Sequence, residues 1–315
     1  MIRLAILWHM HQPFYQHPGT REHALPWARL HALKDYRGMA DVLEPFPRVR
    51  VTINLVPSLL AQVQAYATGD GTDRLLQVGL TPADALTDDD RAFLVANGFH
   101  AQHQRMIAPY PRYTELHDSR EQAAGWGVDE LRDLQVWHKL AWMDPDLLQQ
   151  DARLVRLVGK GRGYSEEDKT ELRAVELEWL RTTVEAYRRA QARRQVELST
   201  SPFYHPILPL LCDTDAHLAA HPEATRPVRP FRRPEDAREQ LARAVRYHRE
   251  LFGEAWSAIQ LTTASALCAV LDLHVQGGLA QHGFVRQEDI DFGRFMQNRF
   301  GRHYECTAAT RYSAI

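Results

Sequence analysis

Residues 49–60 read VRVTINLVPSLL, a β-branched and apolar run that predicts a strand passing into a helix after Pro57. A second apolar run, IRLAILW at 2–8, is typical of a strand buried on both faces of a parallel sheet. Between them, apolar residues at three- and four-residue spacing predict a helix over 27–44, which Pro45 ends. The order strand, helix, strand, helix is typical of an α/β fold with parallel strands.

The middle of the chain, residues 72–194, carries little strand signal and predicts a large helical insertion. Residues 129–150 form an amphipathic pattern that stops near Pro145. Residues 165–195 predict one long helix, because Ser165 is a good N-cap, glutamates occupy the first turn and arginines the last.

The α/β pattern then resumes. Residues 195–200 predict a third strand, and a proline-rich loop follows at 201–209. Residues 234–253 predict a further helix after a proline-rich linker.

Composition and charge exclude several classes of protein. A formal net charge of -2 argues against a general nucleic-acid binder. No stretch approaches the roughly 18 apolar residues that cross a membrane, so no membrane partner is expected. The three cysteines, Cys212, Cys268 and Cys306, form no C-x-x-C pair. That usage fits a reducing compartment, and a cytoplasmic location is expected.

Polar side chains follow all three predicted strands, in the sequences HMHQP, NLVPS and LSTSPFYHP. In parallel α/β folds the carboxyl ends of the strands meet on one face, where ligands bind. Fixed donors and acceptors beside aromatic side chains suit a polyhydroxylated ligand such as a sugar. The aromatic candidates are Trp8, Phe14, Trp27, Phe203 and Tyr204.

Several of these residues have a plainer interpretation. His9 and His11 share one strand face at a spacing that could bind zinc, but no H-x-x-E-H or H-E-x-x-H motif supplies a third ligand, and no metal site is predicted. Glu197 could face solvent, and Asp213 with Asp215 could cap a turn. His31 is equally consistent with a satisfied interior histidine. Four tryptophans at helical spacing are expected in the core: Trp126, Trp137, Trp142 and Trp179.

LWHMHQPFY at 7–15 and VELSTSPFYHPILPLL at 196–211 resemble the first two conserved regions of the family-57 glycoside hydrolases, a group of amylases, glucanotransferases and branching enzymes. Three further stretches are similar to the amylase-like members: LPWARLHALKDYRGM, INLVPSLL and LRDLQVWHKLAWMDP. The resemblance covers about residues 1–255, with the motifs in the family's order.

The resemblance implies an incomplete (β/α)7-type barrel with a large helical insertion at about 72–194. It implies retaining chemistry on an α-glucan or maltooligosaccharide, without a metal or organic cofactor. It also implies a set of substrate-binding residues, namely His11, Gln12, Trp27, His31, Asn54, Glu197 and His205.

The chain departs from the family pattern after residue 255. Where the family has a Trp-Pro-Ser-Glu run that carries the nucleophile, residues 256–278 read WSAIQLTTASALCAVLDLHVQGG. The tail 256–315 is therefore unmatched, as a shifted reading frame or a truncated gene would leave it. No catalytic residue is assigned, and an enzyme incomplete in its catalytic carboxylates is expected. The local candidates for a replacement are Glu197, Asp213 and Glu254.

Two other functions fit the same residues. One is a non-catalytic carbohydrate-binding fragment that keeps part of a glucan cleft. The other is a metal-dependent, deacetylase-like hydrolase that uses His9 and His11.

Overall fold

The computed structural model describes residues 6–219, 221–253, 269–270, 272–279 and 289–302. Within these ranges the strands are β1 (Leu7–Met10), β2 (Glu22–His23), β3 (Val51–Leu55), β4 (Thr72–Asp73) and β5 (Val196–Ser199). The first helices are α1 (Trp27–His31), α2 (Arg37–Asp41), α3 (Pro57–Thr68), α4 (Arg74–Leu80), α5 (Asp88–Asn97), α6 (Pro111–Asp118) and α7 (Val128–Ala141). The later ones are α8 (Pro145–Gln150), α9 (Ala152–Lys160), α10 (Glu166–Ala192), α11 (Leu208–Cys212), α12 (Pro234–Phe252) and α13 (Phe292–Gln297).

The chain forms two compact units. The described residues of the first unit come from 6–9, 50–57 and the segment after 196, and the second unit consists of 10–49 and 58–196. No helix in the described ranges is both long enough and apolar enough to cross a membrane.

The first unit is organised on a sheet with the strand order β1-β3-β5. The side-chain partners Thr52–Glu197 and Asn54–Ser199 advance together along β3 and β5, which shows that these two strands run in parallel. β3 is central, and its Val51, Ile53 and Leu55 are buried. The mixed α/β character predicted from the sequence is confirmed.

β1 differs from its prediction in place and in burial. It covers Leu7–Met10, and residues 2–5 of the predicted 2–8 strand lie outside the described residues. Leu7 is 59% exposed, so the strand is not buried on both faces. Among the described strands, β1 has a neighbour, β3, on one side only, so Leu7 is covered less than the residues of the central strand β3.

In the second unit, residues 27–41 form one continuous helical run, as the predicted helix over 27–44 requires. Its middle, Ala32–Tyr36, is a π turn between α1 and α2. α10 packs against this run. The Arg37 guanidinium lies 3.7 Å from the centre of the Trp179 ring and donates to Thr182 Oγ1 at 2.6 Å.

The middle segment confirms Ser165 as an N-cap and three of the four tryptophans as core, whereas Trp126 is only partly buried. Ser165 forms a capping box with Asp168 at the start of α10. Trp137, Trp142 and Trp179 are buried. The amphipathic helix predicted to stop near Pro145 is α7, which ends at Ala141, and Pro145 begins the separate helix α8, which Asp144 caps.

A two-residue parallel sheet, β2 with β4, was not predicted and organises a buried ion pair. Arg29 donates to both carboxylate oxygens of Asp73 at 2.8 and 3.1 Å, and both side chains are 1% exposed. Tyr66 Oη also donates to Asp73 at 3.0 Å, and Asp73 caps α4 through the N–H of Leu76.

Candidate functional site

The carboxyl ends of the three strands of the first unit meet at the side-chain amide of Asn54. Asn54 Nδ2 donates to Ser199 Oγ at 3.0 Å, and Asn54 Oδ1 accepts from Ser201 Oγ at 2.9 Å. His9 Nδ1 lies 2.8 Å from the same oxygen. One amide therefore links polar groups from β1, β3 and the end of β5. This is the convergence that the strand ends predict from the sequence.

His205, in the loop after β5, lies at the same carboxyl-terminal ends of the strands. Its ring centre lies 4.9 Å from that of His9, and the two rings are tilted by 55°. The backbone of His205 has φ 57°, a left-handed conformation that few residues other than glycine adopt. α12 fixes the loop, since Gln240 accepts from the N–H of Phe203 at 3.1 Å and from the N–H of Tyr204 at 2.8 Å.

Glu197 lies on β5, two residues before Ser199, and its Oε2 accepts from Thr52 Oγ1 at 3.3 Å. Asp213 caps a turn, as one interpretation of the sequence has it, because it accepts from the N–H of Asp215 at 2.9 Å. Arg232 pairs with Asp213 at 2.6 Å and lowers the pKa of that carboxyl. Asp213 is thus engaged in local structure. Glu254 lies outside the described residues.

Gln12, in the second unit, is held at both ends of its amide. Its Nε2 donates to Tyr36 Oη at 3.0 Å, and its Oε1 accepts from Tyr15 Oη at 2.8 Å. Burial raises the pKa of Tyr36 to about 12, so the phenol stays neutral. His11 directly precedes Gln12 and is partly buried.

Trp27 and His31 belong to an aromatic cluster of the second unit. Trp142 contacts both, with ring centres 6.1 Å from Trp27 and 5.3 Å from His31. His31 Nδ1 lies 2.6 Å from Asp35 Oδ2. Burial raises the pKa of the Asp35 carboxyl, but hydrogen bonds from His31 and Lys34 outweigh it, and the net shift is downward. Asp35 is therefore a carboxylate that orients the imidazole.

The predicted site residues fall into two groups. Asn54 and His205 share the strand-end edge of the first unit with His9. Trp27 and His31 share the aromatic cluster of the second unit, and Tyr36, 6.2 Å from the His31 ring, connects that cluster to Gln12.

Sequence reasoning missed the residues that orient these groups, which are Ser199, Ser201, Tyr36 and Asp35. Two local signals existed: Asp35 lies four residues after His31 on a predicted helix, and both serines belong to the polar run LSTSPFYHP after the third predicted strand.

Comparison with known proteins gives one family and one structure. The solved structure of a GH57-type branching enzyme from the hyperthermophilic archaeon Pyrococcus horikoshii is 14% identical to this chain, with a TM-score of 0.35. The match covers 79% of this chain and 32% of the branching enzyme, so the chain spans about a third of that protein's length. No curated protein matches the chain. The sequence model of glycosyl hydrolase family 57 matches residues 5–267. The chain belongs to glycosyl hydrolase family 57.

Proposed function

We propose that the protein acts on α-glucans or maltooligosaccharides, as a glycoside hydrolase or 4-α-glucanotransferase of the retaining type. Family membership supports this proposal, and the observation that carries it is the Asn54 network at the strand ends. An amide, two hydroxyls and two imidazoles side by side give the many fixed donors and acceptors that sugar hydroxyls require. We further propose that the three-stranded sheet is part of an incomplete (β/α)7-type barrel, with residues 256–315 as a separate tail.

Each group has a distinct role in this proposal. Asn54 orients His9, and the loop that Gln240 holds presents His205 beside it. Within the second unit, Trp27 offers an aromatic face on which a sugar ring can stack, and the ring of Trp142 packs against it, with the two ring centres 6.1 Å apart. Gln12 offers a pre-oriented amide, because Tyr36 and Tyr15 fix both of its ends.

The bond-cleaving step needs more than these groups. A retaining enzyme places two carboxyl groups about 5–5.5 Å apart, one as nucleophile and one as acid and base. The sequence has no Trp-Pro-Ser-Glu run, and Arg232 already engages Asp213. We therefore expect the chain to bind maltooligosaccharides and to cleave or transfer them poorly.

Calorimetric titration with maltoheptaose tests the expected binding, and chromatography of the products tests the expected poor cleavage or transfer. Asn54→Ala removes the amide that links the strand ends, and about 1–3 kcal/mol of lost hydrogen bonding predicts affinity weaker by about 5- to 150-fold. Trp27→Ala is expected to lower affinity by a similar factor. Trp126→Ala, a partly buried tryptophan outside both groups, is the matched control and should bind like the wild type.

Failure of the wild type to bind any maltooligosaccharide would refute the proposal, as would equal affinities in all three variants. Circular dichroism of each variant before titration separates lost binding from lost folding. Rapid cleavage by the wild type would refute only the catalytic incompleteness.

A metal-dependent hydrolase is the second candidate, and one observation favours it. The sequence has His9 and His11 but no motif that marks a third ligand, and the ring centre of His205 lies 4.9 Å from that of His9. Activity that a chelator abolishes and zinc restores would favour this candidate over the metal-free glucan enzyme.

A further inference from the structure

We propose that His9 and His205 bind a divalent transition-metal ion at the strand-end edge of the first unit. Their metal-binding nitrogens lie within 4.8 Å of each other, and both residues are exposed, so an ion reaches them from solvent. The proposal does not rest on the glucan activity.

The separation of the two imidazoles suits one shared ion. Zinc binds imidazole nitrogen at about 2.0–2.1 Å, so two nitrogens on a tetrahedral ion lie roughly 3.4 Å apart. A closing movement of at most about 1.4 Å brings the pair from its present limit to that separation, which side-chain rotation supplies.

Asn54 provides a second feature of metal sites. Its side-chain oxygen can accept a hydrogen bond from the ring nitrogen of His9 that does not coordinate the ion. A neutral His9 that donates its Nδ1 proton to Asn54 Oδ1 at 2.8 Å carries its lone pair on Nε2, the form that coordinates metals. Ser199 and Ser201 hold the amide in this orientation, because Ser199 accepts from Nδ2 and Ser201 donates to Oδ1.

His205 is held in place by its backbone as well as by its ring. Its N–H donates to the carbonyl of Pro202 at 2.8 Å, and its φ of 57° turns the chain at this residue. A left-handed backbone at a non-glycine residue is a strain that persists where surrounding contacts fix it, and such residues cluster at ligand sites.

Imidazole donors select the kind of ion. They favour zinc, copper(II) or nickel over magnesium and calcium, which prefer oxygen ligands.

Titration of the metal-free full chain with Zn²⁺, in competition with a chromophoric chelator, tests the proposal. One zinc per chain is expected. His9→Ala and His205→Asn should each weaken affinity at least tenfold, and Asn remains compatible with the left-handed backbone at 205. Asn54→Ala should weaken it by about 10–100-fold, as loss of a residue that orients a ligand does.

His221→Ala is the matched control, because His221 is an exposed histidine of the same unit, 3.8 Å from Glu223. It should bind zinc like the wild type. Electron paramagnetic resonance of the Cu²⁺-loaded wild type counts nitrogen donors without any variant, and at least two are expected.

Absence of stoichiometric zinc binding by the wild type would overturn the proposal. Fewer than two nitrogens on copper would overturn it as well, and so would a loss of affinity in His221→Ala as large as in the His9 and His205 variants. Because no glucan is present, these outcomes are independent of whether the protein acts on maltooligosaccharides.

Discussion

Asp73 is a single carboxylate on which several elements of the second unit depend. It pairs with Arg29, accepts from Tyr66 and caps α4, and it is 1% exposed. Its pKa lies below the ordinary value, because the charge and hydrogen bonds of Arg29 outweigh the burial that raises it. Arg21 and Asp70 form a similar pair at 2.7 Å, but with side chains 76% and 56% exposed.

Removing the charge of Asp73 is expected to lower stability much more than removing that of Asp70, because Asp73 is buried and Asp70 is exposed. Asp73→Asn removes the carboxylate that is hydrogen-bonded to the buried Arg29 guanidinium and leaves only Glu176, 4.0 Å away, as its ion-pair partner among the described residues, so up to about 3–5 kcal/mol of unfolding free energy should be lost. Asp70→Asn should change it by less than about 1 kcal/mol, because water screens the exposed pair. Urea denaturation at neutral pH measures both. Equal losses in the two variants would contradict the role given to burial.

For single residues, the sequence predicted where a side chain lies in the fold better than it predicted which side chains it contacts. Asn54 and His205 were expected at the strand ends because a strand pattern and a following proline are local signals. The Arg29–Asp73 pair could not be predicted, since its members are 44 residues apart and each also suits a solvent-exposed surface. Ser199 and Ser201 were missed for a similar reason, because what makes them significant is an amide 145 and 147 residues away.

Among the elements, α10 shows how a helix start is encoded locally. Ser165 Oγ accepts from the N–H of Asp168, and the Asp168 carboxylate accepts from the N–H of Ser165. Both hydrogen bonds satisfy N–H groups that no helical carbonyl reaches.

Ser165→Ala should lower the free energy of unfolding by about 1 kcal/mol, because one of these N–H groups loses its acceptor. Thr170→Ala, on the exposed face of the same helix, is the control, since its hydroxyl contacts only the Glu166 carbonyl one turn earlier. It should change stability by less than about 0.5 kcal/mol. Thermal denaturation of both variants measures these changes. A larger loss of stability in Thr170→Ala than in Ser165→Ala would refute the capping argument.

Elements with a local pattern were predictable, and elements without one were not. α10 and α12 match their predictions to within a few residues because caps, prolines and apolar spacing define their ends. β2 and β4 have two residues each, too few for any periodicity. The prediction that β1 is buried on both faces was wrong, because an apolar run does not say which of its residues other parts of the chain cover.

At the scale of the whole molecule, the buried His138 is expected to make the free energy of unfolding depend on pH. It is 3% exposed, and burial, with a contribution from the positive charge of Arg29, lowers its pKa to about 3. The unfolded chain takes up this proton near pH 6.5, whereas the folded chain does not until far lower. Between these values the unfolded state binds more protons, so stability rises with pH.

Between pH 7.5 and pH 5, His138 should therefore lower the free energy of unfolding by about 2 kcal/mol. His138→Gln removes the titrating ring and should flatten the dependence over this range. Urea denaturation at several pH values gives both slopes. The same slope in variant and wild type would show that His138 is not the source.

The organisation of the site was predictable only in part. The strand ends of the first unit converge as the sequence indicates, because parallel strands bring their carboxyl ends to one edge. The interactions of Trp142 with Trp27 and His31 were not predicted, since a tryptophan at helical spacing fits a core equally well. Trp142 does both, with 7% of its surface exposed and its ring against the two candidate residues.

The π turn at Ala32–Tyr36 makes the spacing of this helical run sensitive to length. A π turn holds one residue more than the regular helix around it. Losing that residue would rewind the run and swing everything downstream by about 100° about the axis. Arg37 would then leave the face of Trp179, and Tyr36 would turn away from Gln12. A surface loop tolerates an insertion or a deletion, but in this helical run one would rotate the downstream residues away from their contacts.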